Sequence, residues 1–178
     1  MAGQVIVAAY SVGPTLTGAA TASCLPTYCV TTLPAGYWQV GRIWRIRCAG
    51  VVSTAATTPG VFRLDLRMAA ITVFDTLALP GNTTIQTTVP WWGEILLTCR
   101  SVGSGTTASL FGQGLFTSTA WLNTPAVATG PWGATIPVPY NTAPVVGAGF
   151  DSTIANAIDF RFTQTAATGS FNLHTFVI

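Results

Sequence analysis

Hydrophobic and polar residues alternate with a period of two along several segments of the chain. In residues 62–68, four apolar side chains at even positions are separated by Arg63, Asp65 and Arg67. Because successive side chains of a strand point to opposite faces of a sheet, this pattern predicts a half-buried β-strand. The same alternation, complete or partial, is found in residues 42–48, 92–102, 156–163 and 171–178.

Glycine and proline divide the chain into many short segments. The 178 residues include 18 Gly and 11 Pro, and Gly112-Gln113-Gly114 is one of several turn signals. No segment has a convincing helical period, and the best candidate, residues 152–157, would form at most one turn. We therefore predict a single all-β domain over residues 1–178. It is expected to be an antiparallel, jelly-roll-like β-sandwich with about eight strands in two packed sheets.

The last two predicted strands, 156–163 and 171–178, are joined by a short run of small residues and are expected to pair as a hairpin. The apolar positions expected to meet in the core are Ile158, Phe160, Phe162, Phe171, Leu173 and Val177. A slip of the register by one residue would replace the second set by Asn172, His174 and Phe176.

The N-terminal residues 1–36 are predicted to form a first strand and an extended arm. No Lys or Arg precedes Arg42, so a cleaved signal peptide is not expected. Residues 12–36 are rich in Thr, Ala, Pro and Gly and cannot build a core of their own, which favours a strap ordered by a neighbouring molecule. The alternative is a long loop folded back on its own sandwich. Four prolines predict a second loop over residues 123–140.

Charge is scarce in this chain. Only 7% of the residues are charged, with seven Arg and no Lys, against 49% hydrophobic residues and a net charge of +2. This composition excludes disorder and a coiled coil, and it predicts no nucleic-acid partner. No apolar run reaches the roughly 20 residues of a membrane span. A surface with so little charge favours a protein that works inside an assembly.

The residues that usually carry catalysis are also scarce. One His, one Glu and four Asp are present, without a nucleophile elbow, a phosphate loop or a dinucleotide fingerprint. We predict that the chain is not an enzyme, with no catalytic residue and no cofactor. Cys24 and Cys29 have no second pair, and the single histidine, His174, lies far along the chain, so no metal site is predicted. Cys48 and Cys99 are expected to be small buried hydrophobes, with disulfide formation left open.

Six tryptophans raise the question of carbohydrate binding, since aromatic faces stack on apolar patches of ligands. Trp44 is assigned to the core, as is one of Trp91 and Trp92. Trp121 and Trp132 lie on either side of a proline-rich loop segment and are the candidates for exposed ligand contacts.

The C-terminal stretch contains Gly149-Phe150-Asp151-Ser152-Thr153-Ile154-Ala155-Asn156-Ala157-Ile158-Asp159-Phe160, then a Thr- and Ala-rich turn, and then Leu173-His174-Thr175-Phe176. Through these motifs, residues 143–176 resemble the ending of small virion proteins of tailed bacteriophages. The matching motif is short, and the resemblance is confined to this C-terminal part of the chain. The matching residues Asn156, Asp159 and His174 are expected to fix the entry into the strand and the hairpin.

The resemblance implies a non-enzymatic virion structural protein, most often a trimeric capsid decoration protein on the capsid exterior. The partners it implies are further copies of the chain and the major capsid protein. Two alternatives stay open at this point: a phage tail or fibre component that contacts the host surface, and a carbohydrate-binding β-sandwich.

Overall fold

A computed structural model describes residues 5–55, 59–121, 134–167 and 169–178. Within them the chain forms eleven β-strands and a single 3-10 turn, Thr27–Cys29, so the all-β prediction is confirmed. The strands are β1 Thr21–Ser23, β2 Thr32–Leu33, β3 Ile43–Thr54, β4 Val61–Met68, β5 Ile71–Asp75, β6 Leu79–Pro80, β7 Gln86–Ser101, β8 Ser109–Ser118, β9 Ala134–Val138, β10 Asn156–Gln164 and β11 Ser170–Val177. Three of the eleven, β1, β2 and β6, have only two or three residues. No helix in this part of the chain is long and apolar enough to cross a membrane.

The strands form two antiparallel sheets. The six-stranded sheet has the order β1-β10-β4-β5, with β2 on β10 and β6 on β4. The five-stranded sheet has the order β11-β3-β7-β8-β9. Consecutive strands pair with strands at the far end of the chain: β3 pairs with β11 in one sheet, and β4 pairs with β10 in the other. We describe the fold as a two-sheet antiparallel sandwich, whose jelly-roll order stays a prediction.

The last two strands do not form the predicted hairpin. β10 pairs with β4 and β11 pairs with β3, so the two strands lie in different sheets. A contact between the two predicted apolar sets nevertheless forms, across the core, because Phe162 stacks on Phe171 with ring centroids 3.9 Å apart. Phe160 lies 5.3 Å from Phe176, which belongs to the alternative register.

A β-bulge changes which side chains of β11 face the core. Phe171 and Leu173 are buried as predicted, but the register shifts between Leu173 and Thr175. After this shift Phe176 is fully buried and Val177 is only half-buried. The assignment of Val177 to the core is therefore wrong, because the extra residue of a bulge inverts the alternation that follows it.

The N-terminal arm folds back on its own sandwich, which corrects the strap hypothesis. Its first part follows β11, with backbone hydrogen bonds such as that from the Ala9 amide to the Phe176 carbonyl at 2.8 Å. The second part, through β1 and β2, pairs with β10. The arm buries five apolar residues and covers one edge of each sheet. Uncovered edge strands would expose unpaired backbone groups to other chains. The buried residues are Val7, Cys24, Leu25, Cys29 and Leu33.

The opposite side of the sandwich is closed by the chain after β9. The Tyr140 amide donates to the Thr76 carbonyl beside β5, and the Gly147 amide donates to the Leu110 carbonyl of β8. A Cβ on Gly147 would lie 2.0 Å from the Val73 carbonyl oxygen, so only glycine permits this close approach. Of the predicted loop 123–140, residues 134–138 are instead the edge strand β9, and residues 122–133 lie outside the described residues.

All four cysteines are free thiols and are buried. Burial raises the pKa of the Cys24 thiol well above its ordinary value and also raises that of Cys48. Their interpretation as small buried hydrophobes is confirmed for Cys48 and Cys99, and it extends to Cys24 and Cys29.

Candidate interaction face

The tryptophans do not form the predicted ligand site. Trp121 is 1% exposed and packs 5.2 Å from the ring of Phe62, so its assignment as an exposed ligand contact is wrong. The second tryptophan predicted to contact a ligand, Trp132, lies outside the described residues. Trp91 is buried as expected for one of the adjacent pair, and among the tryptophans that the structure describes Trp92, 49% exposed, is the one that reaches solvent.

Trp92 belongs to the outer surface of the five-stranded sheet, which we call the exposed face. Its members are the outward side chains of β3, β7 and β8. Three further large apolar residues on it are exposed: Leu96 (41%), Leu115 (44%) and Ile43 (62%). The members of the exposed face used below are Ile43, Arg45, Arg47, Trp92, Glu94, Leu96 and Leu115.

The strand register arranges these side chains in rows. Glu94 of β7 pairs with Arg47 of β3 on one side and with Leu115 of β8 on the other. One row along, Leu96 pairs with Arg45 of β3. Directly paired residues have Cβ atoms about 5 Å apart, so the apolar and charged groups form one contiguous surface.

The β8 strand that supplies Leu115 passes through a predicted turn. Gly112 and Gly114 are both strand residues, so the turn signal at residues 112–114 is wrong. A Cβ on Gly112 would lie 2.4 Å from the Phe74 ring, and one on Gly114 would lie 2.2 Å from the Glu94 carbonyl oxygen. These glycines give neighbouring groups room to pack against the strand, which is the other common reason for glycine in a sheet.

A charged cluster lies at the centre of the exposed face. The Glu94 carboxylate accepts hydrogen bonds from Arg45 at 2.8 Å and from Arg47 at 3.0 Å. The hydrogen bond from Arg45, and then that from Arg47, lowers the pKa of Glu94 and keeps it ionised. One carboxylate is thus shared by two arginines, and a positive charge is left over.

Two grooves border the charged cluster. The first, of about 580 Å³, lies beside β3 and β11 and is lined by Arg42, Ile43, Arg45, Arg47 and Val177 among others. We call it the arginine groove. The second, of about 390 Å³, lies beside β8 and β9. This second groove is lined by Leu96, Leu115, Pro137, Pro139 and Pro144 among others. We call the groove and the neighbouring Trp92 together the apolar half of the exposed face.

The outer surface of the six-stranded sheet has a different character, and we call it the neutral face. It carries three arginines and three aspartates in pairs, two of them Arg67–Asp65 at 2.5 Å and Arg161–Asp159 at 3.7 Å. The third pair is Arg63–Asp75. In the described strands of this sheet, Ile71 is the only exposed large hydrophobic residue, at 36%.

The arrangement shows no grouping of metal-binding side chains. Within the described ranges, no three His, Cys, Asp or Glu residues lie close enough together to hold a metal ion. Asn156 anchors the entry into β10 as the sequence suggested, since its amide donates to the Asp151 carbonyl at 2.7 Å. His174 is exposed at the bulge of β11.

No protein-family model, curated protein or solved structure matches the chain. The chemistry of the exposed face is therefore the main structural guide to function.

Proposed function

We propose that the chain is a non-enzymatic virion structural protein, a capsid decoration protein that binds the capsid exterior through the apolar half of its exposed face and associates with copies of itself. The observation that carries this proposal is the cluster of Trp92, Leu96 and Leu115 on one face of a chain with very few charges. The resemblance of residues 143–176 to phage virion proteins is the reason for placing this interaction in a virion.

A contiguous exposed apolar surface is the usual mark of an interaction site. Monomeric proteins rarely leave large apolar patches in solvent, and aromatic residues and arginine are enriched in interfaces. Trp92 is anchored at its backbone by the Ala49 and Thr117 pairings on either side, so its large ring is presented by a rigid strand. An anchored aromatic group of this kind contributes strongly to binding when a partner covers it.

The partner of the apolar half is a different protein rather than a second exposed face. Two exposed faces placed against each other would bring the Arg45–Glu94–Arg47 clusters, each with an excess positive charge, close together. Like charges brought together in an interface oppose association. In a virion the corresponding partner is the major capsid protein, and its matching surface is expected to be apolar.

A tail or fibre location remains the alternative, and the same face would then bind a neighbouring tail protein. The number of copies per particle separates the two, because hundreds indicate decoration and a few dozen or fewer indicate a tail. Trp121 no longer supports the carbohydrate-binding alternative, because its side chain is buried.

Binding to capsids assembled without this chain tests the proposal. The variant Trp92→Ala/Leu96→Ala removes apolar area at two exposed positions and should leave the fold intact. We expect it to bind capsids about tenfold or more weakly than the wild type, as measured by co-sedimentation. The matched control, Ile71→Ala at the start of β5 in the other sheet, should bind like the wild type. Wild-type binding by the double variant would refute the assignment of the face, and absence of binding by the wild type would refute the decoration role.

A further inference from the structure

Two surfaces of opposite sign, the arginine groove and a loop that begins at Asp151, carry charge that is not fully paired inside one molecule. In the part of the chain that the structure describes, Asp151 is the only carboxylate side chain with no arginine in a salt bridge. At the arginine groove, by contrast, Arg45 and Arg47 share one Glu94 and Arg42 has no carboxylate partner.

Asp151 begins a loop that we call the tip, residues 151–155. Next to the carboxylate the tip presents Ile154, which is 55% exposed. The Asp151 carboxylate accepts hydrogen bonds from the Thr153 hydroxyl at 2.6 Å and from the Gly105 amide at 2.8 Å. These bonds, led by that from Thr153, lower the pKa of Asp151, so the tip carries its negative charge at neutral pH.

The tip is held in one conformation from several directions. The Ser152 carbonyl accepts the Gly36 amide at 2.9 Å, and the Ser152 hydroxyl accepts the Gly103 amide at 2.8 Å. The Asn156 amide closes the loop from within by donating to the Ile154 carbonyl at 2.9 Å. A loop that is already ordered loses little conformational entropy when a partner covers it.

The arginine groove has the complementary chemistry. Its positive charge comes from Arg42, Arg45 and Arg47, of which Arg45 and Arg47 have side chains more than half exposed. The Arg42 guanidinium lies 4.3 Å from the centre of the Tyr37 ring. Beside these cations the groove offers the exposed side chain of Ile43 as an apolar contact. One acidic group next to one aliphatic side chain is therefore a suitable occupant.

We propose that the arginine groove binds the tip of a second copy of this chain, with Asp151 meeting the arginines and Ile154 meeting Ile43. This inference deepens the proposed function by naming the surfaces through which copies associate. Because the groove and the tip are different surfaces, each copy offers one of each, and successive copies join head to tail. Such a contact closes into a ring when its rotation allows, and the expected trimer is the smallest ring above a dimer. The apolar half remains free for the capsid.

Light scattering on the full-length chain, over a range of concentrations and without capsids, tests this contact. The wild type should form a closed oligomer, whereas Asp151→Asn and Arg45→Gln/Arg47→Gln should each shift association to about tenfold or more higher concentration. The Asn side chain keeps one oxygen acceptor for Thr153, and it removes the charge together with the acceptor of the Gly105 amide. Arg63→Gln on the neutral face is the matched control and should associate like the wild type. Thermal unfolding checks that every variant is folded.

Mixing the two variants distinguishes a head-to-tail contact from any other effect of the substitutions. The intact tip of Arg45→Gln/Arg47→Gln can enter the intact groove of Asp151→Asn, which gives a dimer with one good contact but no ring. Two-chain species in the mixture, under conditions where each variant alone is monomeric, would support the proposal. A monomeric wild type, variants with wild-type association, or a mixture without dimers would overturn it. Capsid binding through Trp92 and Leu96 is measured separately, so either proposal can fail while the other stands.

Discussion

The two outer faces of this sandwich use the same few charged residues in different ways. On the neutral face, three arginines and three aspartates neutralise one another in pairs. On the exposed face, Arg45 and Arg47 share a single carboxylate, and Trp92, Leu96 and Leu115 reach solvent beside them. With only twelve charged residues in the chain, the charges of the neutral face are fully paired, whereas those of the exposed face leave one positive charge unpaired. This difference is the basis of the proposal that the exposed face binds other molecules while the neutral face stays in water.

The closure of the sheet edges sharpens this contrast. The arm covers β10 and β11 on one side, and the chain after β9 covers the gap between β5 and β8 on the other. Open strand edges are the usual route to uncontrolled association, and here they are largely covered. Under the proposed function, association therefore uses side chains on the exposed face, where geometry and charge can select the partner.

The largest predicted effect concerns the core that both faces share. Phe160 is fully buried and links the two sheets through Phe176. We expect Phe160→Ala to lower the free energy of unfolding by about 3–5 kcal/mol, since it leaves a large cavity. Urea unfolding measures this, with Val145→Ala at a 68% exposed position as the control. An unchanged midpoint would show that the sheets do not pack as one core.

The adjacent tryptophans of β7 provide the sharpest comparison of interior and exposed face. Trp91 stacks on Phe171 at 4.8 Å and donates to the Asn172 carbonyl, whereas Trp92 points outward. Trp91→Ala should cost about 3–5 kcal/mol of stability. Trp92→Ala should change stability by no more than about 0.5 kcal/mol and should impair capsid binding. Equal losses of stability would contradict the assignment of opposite faces.

A smaller difference is expected between the ion pairs of the two faces. Asp65 is 3% exposed and accepts a hydrogen bond from Arg67, so Asp65→Asn should cost about 1.5–3 kcal/mol. Glu94→Gln, on the exposed face, should cost less than about 1 kcal/mol. Thermal unfolding of both variants at neutral pH makes the comparison, and a larger loss for Glu94→Gln would contradict it.

The contribution of Glu94 should also depend on pH in a defined direction. Its pKa is lowered in the folded state, so its contribution is present above the ordinary carboxyl pKa and is lost as the pH falls through the folded value. The difference between wild type and Glu94→Gln should therefore shrink on acidification. A difference that grows as the pH falls would have the wrong sign.

The smallest expected effect is an absence of reaction. Each of the four cysteines is at most 2% exposed, and burial raises the pKa of Cys24 and Cys48. A thiol reagent should therefore label none of them in the native protein, even at mildly alkaline pH, and all four after unfolding. Rapid native labelling would show that the covered sides of the sandwich are open.

The period-two pattern was sufficient to predict β4, β10 and the alternating parts of β3 and β7, with the side chains that these segments bury. It did not reveal that β10 and β11 lie in different sheets, because alternation is the same in a hairpin and in a crossover. It also missed β8, where Gly112 and Gly114 resemble a turn but serve close packing.

The arm and the exposed face show what a sequence pattern leaves out. The arm is held largely by backbone hydrogen bonds, which leave no signature in side-chain type. Leu96 was visible as an apolar residue at an outward position, but its position in a row beside Arg45 and Gln113 depends on the register of three strands. The same register decides that Trp92 is exposed.

A map of the assembled particle, with this chain located in it, tests the central claim most directly. The account predicts that the five-stranded sheet faces the capsid shell, with Trp92, Leu96 and Leu115 covered and the paired charges of the neutral face in solvent. A particle in which Arg63 and Arg67 contact the shell while Trp92 remains in solvent would contradict it.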